Sequence, residues 1–214
     1  MTPEPETVEF DGISAYSSDG GGAGVVLVHE WWGLVPHITD VCDRLAALGF
    51  AVLAPDLYHG VIARNMGEAE TLLAGLDRPH ATAEVVATVA ELRRRGSPKV
   101  ATMGFCTGAA VAIAASAACP VDATVAYYGI WPGSGERTIT SPVLVHAAEL
   151  EWEGNWWAQP AQFRRWFEGM DNVELHVYAG AQHAFFNDAR PEYDEAAAKL
   201  SWDRTVAFLR QHLA

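Results

Sequence analysis

The chain consists of short apolar runs separated by stretches with a helical pattern. A continuous apolar run of four to six residues is typical of a strand that is buried on both faces. The runs lie at residues 24–29, 50–54, 99–103, 123–128, 142–147 and 173–178. The stretches predicted as helices lie at residues 38–48, 83–95, 109–118, 160–167 and 191–213. This alternation predicts the α/β class, with a mostly parallel central sheet and helices on both faces.

Two segments depart from the alternation. Residues 7–17 alternate apolar and polar side chains, which predicts a hairpin at the edge of the sheet. Residues 57–79 are polar and irregular, and we expect short helices there. No repeat, low-complexity segment or linker interrupts the chain, so we expect a single domain over residues 1–214.

The composition of the chain excludes several classes of binding partner and of cellular location. The formal net charge of −13 argues against nucleic acid and against an anionic membrane. No apolar run approaches the ~18 residues of a membrane span, and the acidic N-terminus lacks the apolar segment of a secretory signal. The cysteines, Cys42, Cys106 and Cys119, have no C-x-x-C spacing, which predicts a reducing, cytoplasmic location without disulfides or a zinc site.

Residues 104–108 carry the strongest chemical signal. Cys106 lies between Gly104 and Gly108, after a predicted strand and before a predicted helix. This is the G-x-S-x-G pattern of a nucleophile elbow, with cysteine in place of serine. The glycines are expected because such a turn is strained and packs closely on its neighbours. The alternative is a buried structural cysteine, since a free cysteine packs like a small apolar residue.

A thiol needs a base or a positive neighbour to react at neutral pH, because its ordinary pKa is about 8.5. Active groups of open α/β sheets gather at the carboxyl ends of the strands. His183 follows the last predicted strand, in the chain order that G-x-S-x-G enzymes use for their histidine. We therefore expect His183 to activate Cys106, with a surface or core histidine as the alternative.

A third residue must orient the imidazole. It should lie between the cysteine and the histidine in the chain, just after the strand predicted at residues 142–147. Glu149, Glu151 and Glu153 all meet this condition. We favour Glu151, and all three stay candidates because loop carboxylates are usually solvated.

Glu30 is an unusual acid because it directly follows a buried strand. A buried carboxylate is costly unless it is paired or hydrogen-bonded. It could hold Cys106 or exchange a proton with it, or it could be a structural carboxylate that accepts backbone N–H bonds. His29 and Glu30 begin an H-E-x-x pattern, but Gly33 stands where a zinc protease needs its second histidine, so no metal is predicted.

Oxyanion stabilisation is expected from two backbone N–H groups, those of Thr107 and Trp31. Tryptophans also concentrate in one part of the chain, which suggests an aromatic pocket wall or lid; core filling is an equal alternative. These residues are Trp131, Trp152, Trp156, Trp157 and Trp166.

With these residues in place, the chain resembles the dienelactone hydrolase (carboxymethylenebutenolidase) family. The resemblance rests on residues 28–34, 54–58, 104–108 and 183–193 and spans nearly the whole sequence. It implies an α/β-hydrolase fold and a Cys-His-acid triad without metal or organic cofactor. It also implies that Glu30 contacts the resting cysteine, and that Cys106 attacks a small-molecule lactone or ester to give an acyl-enzyme.

The sequence departs from the family pattern at two places. The triad acid of the family is usually aspartate, and Glu151 occupies that position here. An arginine that holds the substrate carboxylate in the family is replaced by Asn187. We expect substrate contacts from Arg64, Trp152 and Asn187, with a solvated surface role as the alternative for Arg64. A bulky aromatic ester, another lactone and a thioester are all compatible substrates.

Two other functions compete with hydrolysis. The altered acid loop is compatible with a non-catalytic member of the fold that binds a ligand in a tryptophan-lined pocket. A redox role for Cys106 is disfavoured because Cys42 and Cys119 lie in predicted apolar helix stretches, which leaves no evident resolving cysteine. The sequence carries no prediction of an oligomeric state.

Overall fold

The computed structural model describes residues 6–131, 133, 135–152, 154–155 and 158–214. The described residues form eight strands in one sheet: β1 (Glu6–Phe10), β2 (Ile13–Asp19), β3 (Gly24–Val28), β4 (Ala51–Pro55), β5 (Val100–Phe105), β6 (Ala123–Tyr127), β7 (Val143–Leu150) and β8 (Val173–Gln182). Their order is β1-β2-β4-β3-β5-β6-β7-β8. β2 is antiparallel to β1 and to β4, whereas every other neighbouring pair is parallel.

The same residues form six α-helices: α1 (Pro36–Ala47), α2 (Met66–Gly75), α3 (Arg78–Arg94), α4 (Thr107–Ala118), α5 (Pro160–Trp166) and α6 (Glu195–Leu213). A short 3-10 helix lies at Glu136–Thr138. None of these helices is both long enough and apolar enough to cross a membrane.

Strand β3 shows why helices cover both faces of the sheet. Val25 and Leu27 pack with side chains of α1 and α6, whereas Val26 and Val28 pack with side chains of α3 and α4. Successive side chains of a strand point to opposite faces, so a strand that is apolar at every position needs cover on both sides. The prediction of a mostly parallel sheet between two helical layers is confirmed.

The ends of several elements differ from the sequence prediction because capping side chains or strand pairing set them. Helix α3 begins five residues earlier than predicted, because Asp77 accepts the backbone N–H of His80 and caps the helix. Strand β8 extends to Gln182, because this residue pairs with Leu150 beyond a bulge. Helix α6 begins four residues later than predicted, because the side chain of Asp194 caps it. The longer β8 matters most, since it brings the chain directly to His183.

Candidate active site

Cys106 lies at a strained turn between β5 and α4. Its backbone has a φ of 53°, in the left-handed region that residues other than glycine rarely adopt. A Cβ on Gly104 would lie 2.2 Å from the backbone oxygen of Gly108, and one on Gly108 would lie 2.3 Å from that of Val28. The two glycines are therefore required by close backbone approach, which is the geometry of a nucleophile elbow.

His183 and Glu151 meet beyond the ends of β7 and β8. The N–H of His183 donates to the backbone oxygen of Leu150 at 3.1 Å, so the two strand ends stay together. Nδ1 of His183 then lies 2.8 Å from Oε2 of Glu151, a hydrogen bond in which the ring donates to the carboxylate. Asn155 donates a second hydrogen bond to the same carboxylate oxygen. Glu151 is thus positioned to fix the orientation of the imidazole.

The buried environment shifts the titration of both groups. Burial raises the pKa of Glu151, and the hydrogen bonds from His183 and Asn155 oppose that rise. Burial lowers the pKa of His183, but the negative charges of Cys106 and Glu151 outweigh burial and raise it to about 10. This environment favours the protonated imidazolium form of His183.

The other ring nitrogen of His183, Nε2, lies on the side of the ring away from Glu151. Nε2 is buried and makes no hydrogen bond of regular geometry within the part of the chain that the structure describes. The charge of Cys106 nevertheless raises the pKa of this ring, so the two side chains are close neighbours. The order Cys106, His183, Glu151 is that of a nucleophile, a base and an orienting acid.

Glu30 is buried after β3, and side chains rather than backbone amides hold its carboxylate. Oε1 accepts the hydroxyl of Tyr128 at 3.0 Å, and Oε2 accepts the side-chain amide of Asn187 at 2.7 Å. Burial and the charge of Glu30 raise the pKa of Tyr128 well above its ordinary value, so this hydroxyl remains a donor. Both carboxylate oxygens are therefore satisfied inside the protein, as a buried charge requires.

His29 holds the backbone on which Glu30 lies. Its Nδ1 is 2.7 Å from the backbone oxygen of Glu30, and its Nε2 accepts the N–H of Leu57 at 3.1 Å. Because Nε2 accepts, the proton of the neutral ring is on Nδ1. Burial lowers the pKa of His29, so the ring stays neutral and joins the ends of β3 and β4.

Two backbone amides lie next to these side chains. Thr107 is the first residue of α4, and Trp31 directly follows Glu30. Neither N–H group donates a hydrogen bond to any of the described residues. Thr107 lies at the N-terminus of α4, where the helix carries a partial positive charge, so its amide is chemically suited to an oxyanion.

Two tryptophans form an aromatic wall, Trp31 with Trp152, beside the histidine. The ring of Trp152 lies 4.2 Å from that of His183 at a steep angle, and it stacks on Trp31 at 6.3 Å. Trp152 is 48% exposed, so an apolar surface faces solvent at the histidine. Such a surface can bind the apolar part of a ligand.

The sequence and structure can now be placed among known proteins. Residues 10–213 match the sequence model of the dienelactone hydrolase family. The chain belongs to this family. It is therefore a hydrolase-family protein with the α/β-hydrolase fold, and the family and fold class predicted from the sequence are confirmed.

Individual relatives and solved structures are also similar to this protein over nearly the whole chain. "Protein usf" of Aquifex pyrophilus is 34% identical over 208 residues, which cover 90% of each chain. A protein of Aquifex aeolicus (strain VF5) named "Putative carboxymethylenebutenolidase" is 32% identical over 90% of this chain and 89% of its own. The crystal structure of a dienelactone hydrolase-like promiscuous phosphotriesterase from metagenomic libraries has a TM-score of 0.81 at 24% identity, with 99% of each chain covered. This last likeness supports the fold.

The substrate contacts expected from the dienelactone hydrolase pattern lie in three different settings. Trp152 lies against the catalytic candidate His183. The amide nitrogen of Asn187 is engaged by Glu30. Arg64 is exposed before α2, where its backbone N–H donates to Glu68, and the structure records no contact between its side chain and the described triad residues. The family's carboxylate-binding arginine thus has no evident substitute among these three residues.

The remaining candidates lie away from the triad or outside the described residues. Glu149 is exposed and accepts the backbone N–H of Gly180 at 2.7 Å rather than contacting the histidine. Glu153 lies outside the described residues. Of the other tryptophans in the predicted cluster, two pack elsewhere and two lie outside the described residues: Trp131, Trp166, Trp156 and Trp157, respectively.

Three residues near Cys106, His183 and Glu151 were not predicted as site residues from the sequence. Tyr128 follows β6 at the carboxyl edge, so the strand-end rule could have selected it. Tyr58 lies just beyond β4, and its buried hydroxyl is close enough to Cys106 for the charge of the cysteine to raise its pKa, after burial itself. Asn155 carried no signal, because only the fold of the acid loop brings its amide to the triad carboxylate. The described residues at this site form no cluster of three metal ligands.

Proposed function

We propose that this protein is a cysteine-dependent hydrolase of lactones or carboxylic esters. The observation that carries the proposal is the hydrogen bond from His183 to Glu151, made beside the elbow that presents Cys106, whose charge acts on the same imidazole. The proposed nucleophile is half-buried, so it is within reach of a small molecule.

In the first half of the proposed reaction, the thiolate sulfur of Cys106 attacks the carbonyl carbon of the substrate. The carbonyl oxygen becomes an oxyanion, which the N–H groups of Thr107 and Trp31 stabilise. The tetrahedral intermediate collapses by breaking the bond from carbon to the alcohol oxygen. The imidazolium of His183 gives its proton to that oxygen, which leaves a thioester on Cys106.

In the second half, the neutral imidazole of His183 takes a proton from water as the water attacks the thioester. The bond from carbon to sulfur then breaks, which releases the carboxylic acid and restores the thiolate beside the imidazolium. Glu151 keeps Nδ1 protonated throughout, so Nε2 always faces the reacting atoms. No metal or organic cofactor enters this sequence of steps.

Glu30 is proposed to tune the resting cysteine by its charge. The pKa of Tyr128 responds to burial, to Glu30 and to Cys106, which indicates that all three groups share one buried environment. The hydrogen bonds from Tyr128 and Asn187 fix the carboxylate in place.

The substrate proposed is one with an apolar or aromatic group. Trp31 and Trp152 offer an aromatic surface next to His183, whereas Asn187 replaces the family's arginine and is engaged by Glu30. These contacts favour a neutral aromatic ester or lactone over a dienelactone that carries a carboxylate.

The proposal is tested by hydrolysis of p-nitrophenyl acetate, a dienelactone and a thioester by wild type and by Cys106→Ala. We expect turnover of at least one compound by wild type and none by the variant. Cys119→Ala is the matched control, because this half-buried thiol lies at the far end of α4 from the elbow. Turnover that survives in Cys106→Ala would contradict the proposed nucleophile.

The competing hypothesis of a non-catalytic binding protein rested on the altered acid loop. That loop places Glu151 against His183, which supports hydrolysis instead. The binding hypothesis predicts no turnover on the panel and slow alkylation of Cys106 by iodoacetamide, so the same experiment distinguishes the two.

A further inference from the structure

Three potential metal ligands converge on the loop after β4 and the first turns of α3. His59 lies in that loop, while His80 and Glu84 are one helical turn apart on the same face of α3. The loop is fixed locally, because the carboxylate of Asp56 accepts the backbone N–H groups of Tyr58 and Gly60. The cluster is therefore built from an ordered turn and a helix.

The distances between the three potential ligand atoms are close to those around a tetrahedral metal ion. Oε1 of Glu84 lies 3.6 Å from Nε2 of His80 and 3.9 Å from Nε2 of His59. Each of the three residues offers one ligand atom, and these atoms lie within 4.8 Å of one another. Ligand atoms at about 2.1 Å from a tetrahedral zinc ion would be roughly 3.4 Å apart, so small side-chain rotations suffice.

The carboxylate of this cluster is unusual because the side chain that carries it is buried. The side chain of Glu84 is only 7% exposed, and the carboxylate accepts no hydrogen bond from the described residues. The ion-pair partners of this carboxylate among the described residues are His80 and His59, and a cation bound between the three groups would compensate its burial. The two histidines are 59% and 63% exposed, so an ion from solvent can reach the cluster.

We propose that His59, His80 and Glu84 bind a divalent transition-metal ion, with zinc as the best fit. Two imidazole nitrogens and one carboxylate oxygen are ligands that Zn²⁺ accepts, whereas Mg²⁺ and Ca²⁺ prefer oxygen alone. Water completes the tetrahedral coordination. The ion neutralises Glu84 and joins the loop that carries Tyr58 to helix α3. Because the unfolded chain lacks this arrangement, metal binding stabilises the folded protein.

The test uses the full chain without a histidine tag, stripped of metal and titrated with Co²⁺ and then Zn²⁺. We expect one Co²⁺ per chain with the visible absorption of a tetrahedral ion, its displacement by Zn²⁺, and a higher Tm with metal. His80→Gln should weaken binding at least tenfold and abolish the rise in Tm. Since His80 is mostly exposed, this variant should fold. His176→Gln is the matched control, because it also removes a histidine beside a glutamate, Glu174.

A second variant separates this site from the proposed triad, which also contains metal-binding groups. In Cys106→Ser, metal binding should be unchanged, and the metal-free His80→Gln protein should keep the wild-type rate on p-nitrophenyl acetate. Binding that is equal in wild type and His80→Gln, binding that is lost in Cys106→Ser, or no binding at all would each overturn the proposal.

Discussion

At the scale of single residues, the proposed triad acid is where this chain departs from the family pattern. Glu151 is one methylene longer than aspartate, yet its Oε2 reaches Nδ1 of His183 at 2.8 Å. The backbone bond from His183 to Leu150 holds the histidine beside the end of β7, and Asn155 holds the carboxylate from the other side. These contacts hold both partners of the hydrogen bond from His183 to Glu151 in place.

Glu151→Gln should lower kcat/KM for the best ester of the panel by about two to four orders of magnitude. The amide keeps the volume but loses the charge that favours the imidazolium and can impose the wrong tautomer. Glu149→Gln, two residues away, should stay within about twofold, since Glu149 contacts Gly180 rather than the histidine. The measurement is steady-state kinetics of both variants beside wild type. A larger loss in Glu149→Gln would show that the orienting acid is misassigned.

At the scale of elements, the elbow depends on three backbone segments that nearly touch. The turn between β5 and α4 packs on the residue after β3 and on Gly129, which follows β6. A Cβ on Gly129 would lie 1.9 Å from the backbone oxygen of Cys106. Because that contact involves backbone on both sides, no side-chain rotation can relieve it.

Gly129→Ala should therefore destabilise the protein by about 3 kcal/mol and disturb the position of Cys106. The matched control is Gly75→Ala at the end of α2, where an added Cβ meets nothing within 4 Å. Urea denaturation of the two variants measures the difference. Equal free energies of unfolding would contradict the close approach of β6 and the elbow.

Strand and helix identities were predictable because their patterns are local. The buried strands are apolar at nearly every position, and the elbow glycines are required by contacts between neighbours in sequence and space. Element ends were less predictable, because they depend on caps and on pairing, such as that of Gln182 with Leu150. His183 follows from chain order, whereas Tyr128 and Asn155 needed the fold to bring distant segments together.

At the scale of the whole molecule, buried neutral histidines join elements that lie far apart in the chain. His29 connects the ends of β3 and β4. His146, inside β7, lies 2.8 Å from the hydroxyl of Tyr178 and 3.0 Å from that of Thr205, which links the sheet to α6. Burial lowers the pKa of both histidines, and for His146 the charges of His176 and Arg204 add to that effect.

Stability should therefore fall as the pH drops below about 6.5, the ordinary pKa of histidine. There the unfolded chain binds protons that the folded protein, with its lowered pKa values, does not bind. The contribution is fully present above pH 6.5 and is lost as the pH falls toward the folded pKa values. Each of His29 and His146 can add up to about 1.4 kcal/mol per pH unit.

Urea denaturation at pH 7.5, 6.5 and 5.5 measures this slope. His146→Gln should be less stable than wild type at pH 7.5. Its free energy of unfolding should fall less steeply on acidification, because the unfolded variant binds about one proton fewer. An unchanged slope in His146→Gln would show that this histidine is already charged in the folded protein or titrates normally.

The central claim is that Cys106 forms a covalent acyl-enzyme. It is tested most directly by mass spectrometry of the protein quenched during turnover of p-nitrophenyl acetate, followed by peptide mapping. We expect one acetyl group, on the peptide that contains Cys106, in wild type and in Cys119→Ala but not in Cys106→Ala. An acetyl group on another residue of the wild-type protein would contradict it, and so would turnover that persists in Cys106→Ala.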